Sequence, residues 1–212
     1  MTQKICVITG ATDGIGKRTA EVLAGQGFIL GLVGRNQEKG KKVVQELSTQ
    51  SENDNIHYFN ADLSLMSEVT KVAGEIQDKF PVIDVLINNV GAAFFEKTFT
   101  SEGFESTFAL NHLSYFLLTK LLLDKMNQQS ARVVNVASDA HIGSGLNFND
   151  LQGVNPYSGY PNYQRSKLMN ILFSNELALR LNDRPIAVNC LHPGFVASKF
   201  GHNNSGFKVA FL

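Results

Sequence analysis

Residues 5–16 read Ile5-Cys6-Val7-Ile8-Thr9-Gly10-Ala11-Thr12-Asp13-Gly14-Ile15-Gly16, a short β-branched run that breaks into a cluster of glycines. The run has the composition of a buried strand, and an amphipathic helical pattern over 16–25 follows the glycines. A turn joining strand to helix in this way suits a bound phosphate. Glycine tolerates positive φ and lets the backbone approach closely, while the free N–H groups and dipole at a helix start favour negative charge. On its own such a turn also serves purely structural ends, so the rest of the chain has to decide.

Working outward, short apolar runs at 5–9, 28–34, 56–60, 85–88, 132–137 and 186–191 alternate with helical patterns near 16–25, 37–49, 66–80, 104–126 and 163–181. That alternation predicts an α/β fold, a doubly wound parallel sheet of about six strands with helices on both faces. Right-handed crossovers then put the ligand crevice at the carboxyl ends of the strands, near the reversal of strand order. Residues 1–212 show no repeat or linker and fit one domain. The stretch 139–162, rich in Gly, Asn and Pro, is the one long segment without periodicity; it reads as a substrate-contacting loop or as a variable surface excursion.

Nineteen Lys and Arg balance nineteen Asp and Glu, so no broad field attracts nucleic acid or an anionic membrane. Cys6 and Cys190 each sit in an apolar run and read as reduced core residues. Met1 to Lys4 lead straight into the first strand with no signal or anchor ahead of them, which predicts a cytoplasmic protein. No His, Cys or acidic spacing matches a zinc site, so metal catalysis is not expected.

The spacing Gly10-x-x-x-Gly14-x-Gly16 departs from the commonest dinucleotide fingerprint and resembles the nucleotide loop of short-chain dehydrogenases/reductases, with Thr12, Asp13 and Ile15 between the glycines. In dinucleotide sites an acid after the second strand receives the adenosine ribose. Here Val33-Gly34-Arg35-Asn36 offers none, and the Arg35 guanidinium suits a 2′-phosphate, so NADP(H) is expected over NAD(H). Judged alone, Arg35 also fits a solvated loop position. Asp62 and Leu63, in Ala61-Asp62-Leu63, match the family's position beside the adenine, and Asp62 also reads as a cap or turn residue. Asn88-Asn89-Val90-Gly91 resembles the family's Asn-Asn-Ala-Gly element, with Val90 in place of alanine; the two asparagines could equally tie strands together.

Tyr163 and Lys167 stand four residues apart on a helical pattern, so phenol and ammonium share a face. A cation beside a phenol of ordinary pKa about 10 stabilises the phenolate and makes the group a usable acid/base. Tyr157 and Tyr160 have no charged residue four positions on. A Tyr and Lys at this spacing is also common on helices of no catalytic role. The resemblance implies more: Ser138 would hold the substrate oxygen, and the Asn111 carbonyl would hold a water against the lysine. Pro193, Gly194, Val196 and Ser198, in the segment after the sixth strand, would embrace the nicotinamide. Tyr163 and Lys167 would then serve both proton transfer and cofactor binding.

Ala137-Ser138-Asp139-Ala140-His141 and Leu191-His192-Pro193-Gly194 resemble the retinol dehydrogenase branch, which implies a small apolar carbonyl or alcohol as substrate. Phe94, Phe95 and Phe148 are candidate apolar walls or core residues, and His141 a candidate at the substrate entrance. Family members usually run on into a seventh strand and a covering segment, whereas this sequence stops at Leu212; it is read as truncated at its carboxyl end. A non-catalytic NADP(H)-binding sensor or subunit is therefore the alternative. Association through the long helices is common in the family, so a homo-oligomer is compatible with the sequence.

Overall fold

The computed structural model describes residues 3–194 and 196. Six strands, β1 (Ile5–Thr9), β2 (Ile29–Gly34), β3 (Ile56–Asn60), β4 (Val85–Asn88), β5 (Ala131–Val136) and β6 (Ile186–Leu191), pair in parallel in the order β3-β2-β1-β4-β5-β6. The order reverses between β1 and β4, so the ends of these two strands, Thr9-Gly10 and Asn88-Asn89, flank the crevice such a sheet offers to ligands.

The strands are apolar throughout because both faces are covered. Ile5 and Val7 of β1 point into a core with Val69, Val72 and Ile76 of helix α3 (Met66–Lys79). Cys6 and Ile8 point the other way, among Ala20 and Ala24 of α1 (Gly14–Gly25) and Val43 and Leu47 of α2 (Gln37–Ser51). Cys190, expected in the core, is only half-buried, since β6 is the last strand of the described sheet.

The helix expected over 104–126 is continuous only in outline. It consists of α4 (Ser106–Phe108), one π-helical turn (Ala109–Leu113), α5 (Ser114–Leu122) and a 3₁₀ turn (Leu123–Lys125). The π turn is centred on Asn111, whose side chain is held by the Ala92 backbone, and such insertions in helices gather at functional sites. The last helix, α6 (Gly159–Arg180), begins four residues before the expected 163. Pro161 falls in its first turn, where a missing N–H breaks no helical bond. Among the described residues no helix is long and apolar enough to cross a membrane.

Candidate active site

The glycine-rich turn is built by close contacts. Gly10 has φ +66°, and an added Cβ would lie 2.9 Å from Val90 Cα. At Gly16 a Cβ would meet the Gly10 carbonyl oxygen at 2.4 Å and Asn89 Nδ2 at 2.6 Å. Asn89 knits the two strand ends together, donating from Nδ2 to the Thr9 and Gly10 carbonyls at 2.9 and 3.4 Å. Asp13 caps α1 through the Gly14 N–H at 2.9 Å. We expect Gly16→Ala to destabilise the fold by about 1–3 kcal/mol through overpacking against a backbone oxygen. Thermal unfolding of the variant checks this; an unchanged midpoint would show that the turn can yield.

At the end of β2, Arg35 and Asn36 are exposed, and Asn36 caps α2 by accepting from the Lys39 N–H at 2.8 Å. Lys39 reaches back to Asp13 at 2.6 Å, which brings a second cation to the turn. Sequence reading passed over Lys39; its place three residues after a capping asparagine is the signal that could have found it. Thr12 lies over Gly34. Asp62 folds onto Ser64 in an Asx turn with bonds of 3.0 and 2.7 Å, while Leu63 is buried in the core. Ile15 is half-buried, and Val90 packs partly buried on the core.

Past β4, Gly91 passes directly over the interior groups. An added Cβ would stand 3.4 Å from both Asn111 Oδ1 and Lys167 Nζ. Lys167 is buried, and its ammonium donates to the Val136 carbonyl at 3.0 Å. It lies 5.6 Å from the Tyr163 ring centroid and 5.9 Å from that of Tyr115, a tyrosine the sequence did not single out. Burial brings the ammonium down to about 8, against an opposite pull from Cys190.

Tyr163 is buried beside Ser138. Burial pushes its phenol above the ordinary value, the Ser138 hydrogen bond pulls it back, and Tyr160 pushes it up again. The sequence led us to expect Lys167 to lower the phenol. In this geometry the ammonium faces the ring, burial dominates, and the phenol is held protonated. Ser138 Oγ also accepts from the Ala140 N–H at 3.1 Å.

Asn111 is held through its whole amide. Its Oδ1 accepts from the Ala92 N–H, and its Nδ2 donates to the Ala92 carbonyl and to Ser166 Oγ, all between 2.9 and 3.0 Å. Its main-chain carbonyl accepts from Asn170 Nδ2 at 2.8 Å. Asn88 continues the buried polar layer to Thr119 and Asn135.

After β6, Pro193, Gly194 (φ +77°) and half-exposed Val196 run along the same carboxyl edge; Ser198, with Phe195 and Ala197, lies outside the described residues. His141 is engaged locally with the Ser138 carbonyl at 2.7 Å. Phe94 and Phe95 are half-buried, whereas Phe148 is 81% exposed and walls nothing in this structure. Among the described residues no group of three His, Cys, Asp or Glu side chains stands close enough to hold a metal ion.

The sheet thus carries a glycine turn at its reversal point, with buried Tyr163, Lys167 and Asn111 and half-buried Ser138 past the ends of its later strands. The sequence profile of the short chain dehydrogenase family matches residues 4–207, and the chain belongs to that family. It is 38% identical to mouse retinol dehydrogenase 12 over 202 residues, 95% of this chain and 64% of that one. It is 39% identical to human retinol dehydrogenase 11 over 203 residues, with the same two coverages, and 36% identical to human polyprenol dehydrogenase over 200 residues, 91% of this chain and 61% of that one. The chain thus spans less than two thirds of the length of these relatives.

Among solved structures, a protein from Mycobacterium paratuberculosis superposes with a TM-score of 0.81 at 36% identity, over 92% of this chain and 69% of that one. An alcohol dehydrogenase from Thermococcus sibiricus complexed with 5-hydroxy-NADP (TM-score 0.78, 23% identity, 97% and 82% coverage) shares the fold. So does a short-chain dehydrogenase/reductase from Burkholderia phymatum in complex with NAD (0.75, 23%, 93% and 68%).

Proposed function

We propose that residues 1–212 form a single NADP(H)-binding domain that moves a hydride between the nicotinamide and a small apolar aldehyde or ketone, or the corresponding alcohol. The observation that carries this reading is the buried Tyr163-Lys167 pair with Ser138 beside it and Gly91, just past β4, over the Lys167 ammonium. A cytoplasmic setting, expected from the sequence, belongs to the same proposal.

The residues present fit a dinucleotide. Gly10 and Gly16 let the turn fold tightly against Val90 and Asn89, where added side chains would clash, and the N–H groups of the turn and of the α1 start that Asp13 does not cap would serve a pyrophosphate. Arg35 supplies positive charge at the end of β2, where neither the last strand residue nor the one after it is an acid, while Lys39 nearby is paired with Asp13. Asp62 and Leu63 would border the adenine. Asn89, Val90 and Gly91 would line the middle of the cleft, and Pro193, Gly194, Val196 and Ser198 the nicotinamide end. When bound, the nicotinamide supplies the hydride.

The chain's own groups then handle the proton and the geometry. Ser138 orients the substrate oxygen, and Tyr163, held protonated by burial, donates to that oxygen as the alkoxide develops. Lys167 supplies a buried positive charge behind the ring and a donor to the cofactor ribose, and Asn111 fixes the floor against Ala92 and Ser166. The names of the relatives, retinol and polyprenol dehydrogenase, point to an apolar alcohol or its carbonyl product.

NADPH oxidation with a panel of apolar and polar aldehydes and ketones, repeated with NADH, tests the proposal. Turnover that prefers NADPH and apolar carbonyls supports it. Cofactor binding with no turnover on any substrate gives way to the sensor or subunit reading. Arg35→Ala should weaken NADPH binding by about tenfold to a hundredfold, the worth of a charge-assisted phosphate contact, and leave NADH almost unchanged. Equal losses for both cofactors in fluorescence titration would assign Arg35 no part in phosphate recognition.

A further inference from the structure

The polar residues of α6 do not end with Lys167. Ser166, Asn170 and Ser174 follow one another at the spacing of a single helix face, all three are buried, and Asn170 is completely so. Asn170 Nδ2 donates to the Asn111 carbonyl at 2.8 Å, and Asn170 Oδ1 stands 3.1 Å from Nδ1 of His112, the next residue of the π turn. One turn earlier on α6, Ser166 Oγ accepts from Asn111 Nδ2 at 3.0 Å. The main chain and the side chain of Asn111 are thus fastened to α6 by two residues that stand on either side of Lys167 in the sequence. The Asn170 carbonyl in turn accepts from Ser174 Oγ at 2.6 Å. Ser174 Oγ accepts from Asn135 Nδ2 at 2.9 Å, and Asn135 Oδ1 accepts from Asn88 Nδ2 at 2.8 Å. One chain of buried amides and hydroxyls joins the π turn, α6, β5 and β4.

A buried carboxamide costs stability unless both of its ends are bonded. Asn170 meets that condition by touching the π turn twice. Such a turn breaks the regular hydrogen-bond spacing of a helix, and side chains meet two of its carbonyls. Leu110 O accepts from Ser114 Oγ at 2.6 Å, and Asn111 O accepts from Asn170 Nδ2. Ser114 lies on the same stretch of helix and holds the turn only to itself. Asn170, 59 positions along the chain, ties the main chain of the turn to another element. What the tie holds is seen at Gly91, where an added Cβ would lie 3.4 Å from both Asn111 Oδ1 and Lys167 Nζ, so the two polar heads converge beneath one residue.

We propose that Asn170 is a positioning residue for Asn111 and Lys167. It fixes the main chain of the π turn against α6 and so holds the Asn111 carboxamide and the Lys167 ammonium together beneath Gly91, without touching substrate or cofactor. The inference rests on the oxidoreductase reading above and deepens it by adding a group that acts on the rate without entering the binding of cofactor or carbonyl.

The test uses the full chain with Asn170→Leu, which keeps a side chain of similar size and removes both polar atoms. Beside it stands His112→Phe, which keeps a ring against Phe108 and Phe173 and leaves the Asn170 donor on the Asn111 carbonyl. In N170L, kcat for the best carbonyl substrate should fall about a hundredfold, as expected when groups of the site shift by about 1 Å. KM and the dissociation constant of NADPH should stay within about threefold, because the glycine turn and Ser138 are untouched. H112F should lose only about threefold in kcat, since the bond to Asn111 remains. Amide exchange read by mass spectrometry should quicken over 109–114 in N170L and stay unchanged in β1 and β2. A parental kcat in N170L, an equal loss of NADPH affinity, a loss in H112F as large as in N170L, or a lowered kcat with unchanged exchange over 109–114 would overturn the proposal. If N170L does not fold, Asn170→Ser, which is smaller and keeps a hydroxyl, decides by the same split of kcat from KM. If the parent protein turns over no substrate, the oxidoreductase reading falls by itself, and exchange over 109–114 alone decides whether Asn170 holds the turn.

Discussion

Replacing Tyr163 by phenylalanine is expected to lower turnover of a carbonyl substrate by about a thousandfold, the middle of the range for loss of a positioned general acid. NADPH affinity should stay within about twofold, because only one oxygen is removed. The ring remains packed in its buried place and remains the aromatic face that Lys167 stands over at 5.6 Å. What is lost is the proton donor hydrogen-bonded to Ser138. Without it the developing alkoxide keeps only the Ser138 hydroxyl, an alcohol that cannot give up its proton at neutral pH. Steady-state NADPH oxidation by parent and variant, beside a direct titration of cofactor binding, separates chemistry from affinity. A variant retaining a tenth of the parental rate would show that Tyr163 is not the proton donor. Tyr157, bonded to Phe94 and Glu96, and Tyr160, half-exposed above Tyr163, would then have to be reconsidered.

The sheet and its reversal point were legible because each strand is short, apolar and bounded by turn residues. Strands β1, β3, β4 and β6 have the bounds the sequence suggests, and β2 and β5 differ by one residue. The π turn at Asn111 was not legible. The apolar spacing of 104–126 runs smoothly past it, and the extra residue is held by Ala92, nineteen positions away. The start of α6 was misjudged because Pro161 reads as a loop residue, although proline is at home in a first helical turn. In the candidate site, Tyr163 and Lys167 stand out only when their spacing is joined to the family resemblance of the motifs around them, because the same spacing recurs on ordinary helices. Tyr115 and Glu105 do not stand out at all, because nothing local marks an apolar-helix tyrosine or a lone glutamate. Tyr115 acquires its place by bonding the Val90 carbonyl and facing Lys167, and Glu105 by capping Thr107 and Phe108 while its N–H bonds Gln152 far along the chain. Lys39 is of the same kind, since its partner Asp13 lies across the β1-α1 turn.

Lys167→Met is expected to cost about a hundredfold in turnover and to change the pH dependence of both rate and stability. The ammonium is buried, so its proton is held less tightly in the folded chain, near 8 against an ordinary 10.5. Between these two values the unfolded chain carries more protons than the folded one, so the cofactor-free protein gains stability as pH rises through this window. The gain amounts to something on the order of 3 kcal/mol, and below about pH 8 both states are protonated and the burial penalty is constant. Methionine removes the penalty and with it the slope, so the variant should be the more stable protein near neutrality. Activity runs the other way. The charge behind Tyr163 is present only while Lys167 keeps its proton, so the rate of carbonyl reduction should be level at low pH and fall above about pH 8. The methionine variant should lack that inflection and remain slow throughout. Chemical denaturation and initial rates over the same pH series measure both consequences in one preparation. A parental rate that stays level to about pH 10 would mean that cofactor binding restores the lysine to its ordinary affinity for protons, and the charge of the bound cofactor would then be the dominant influence on it.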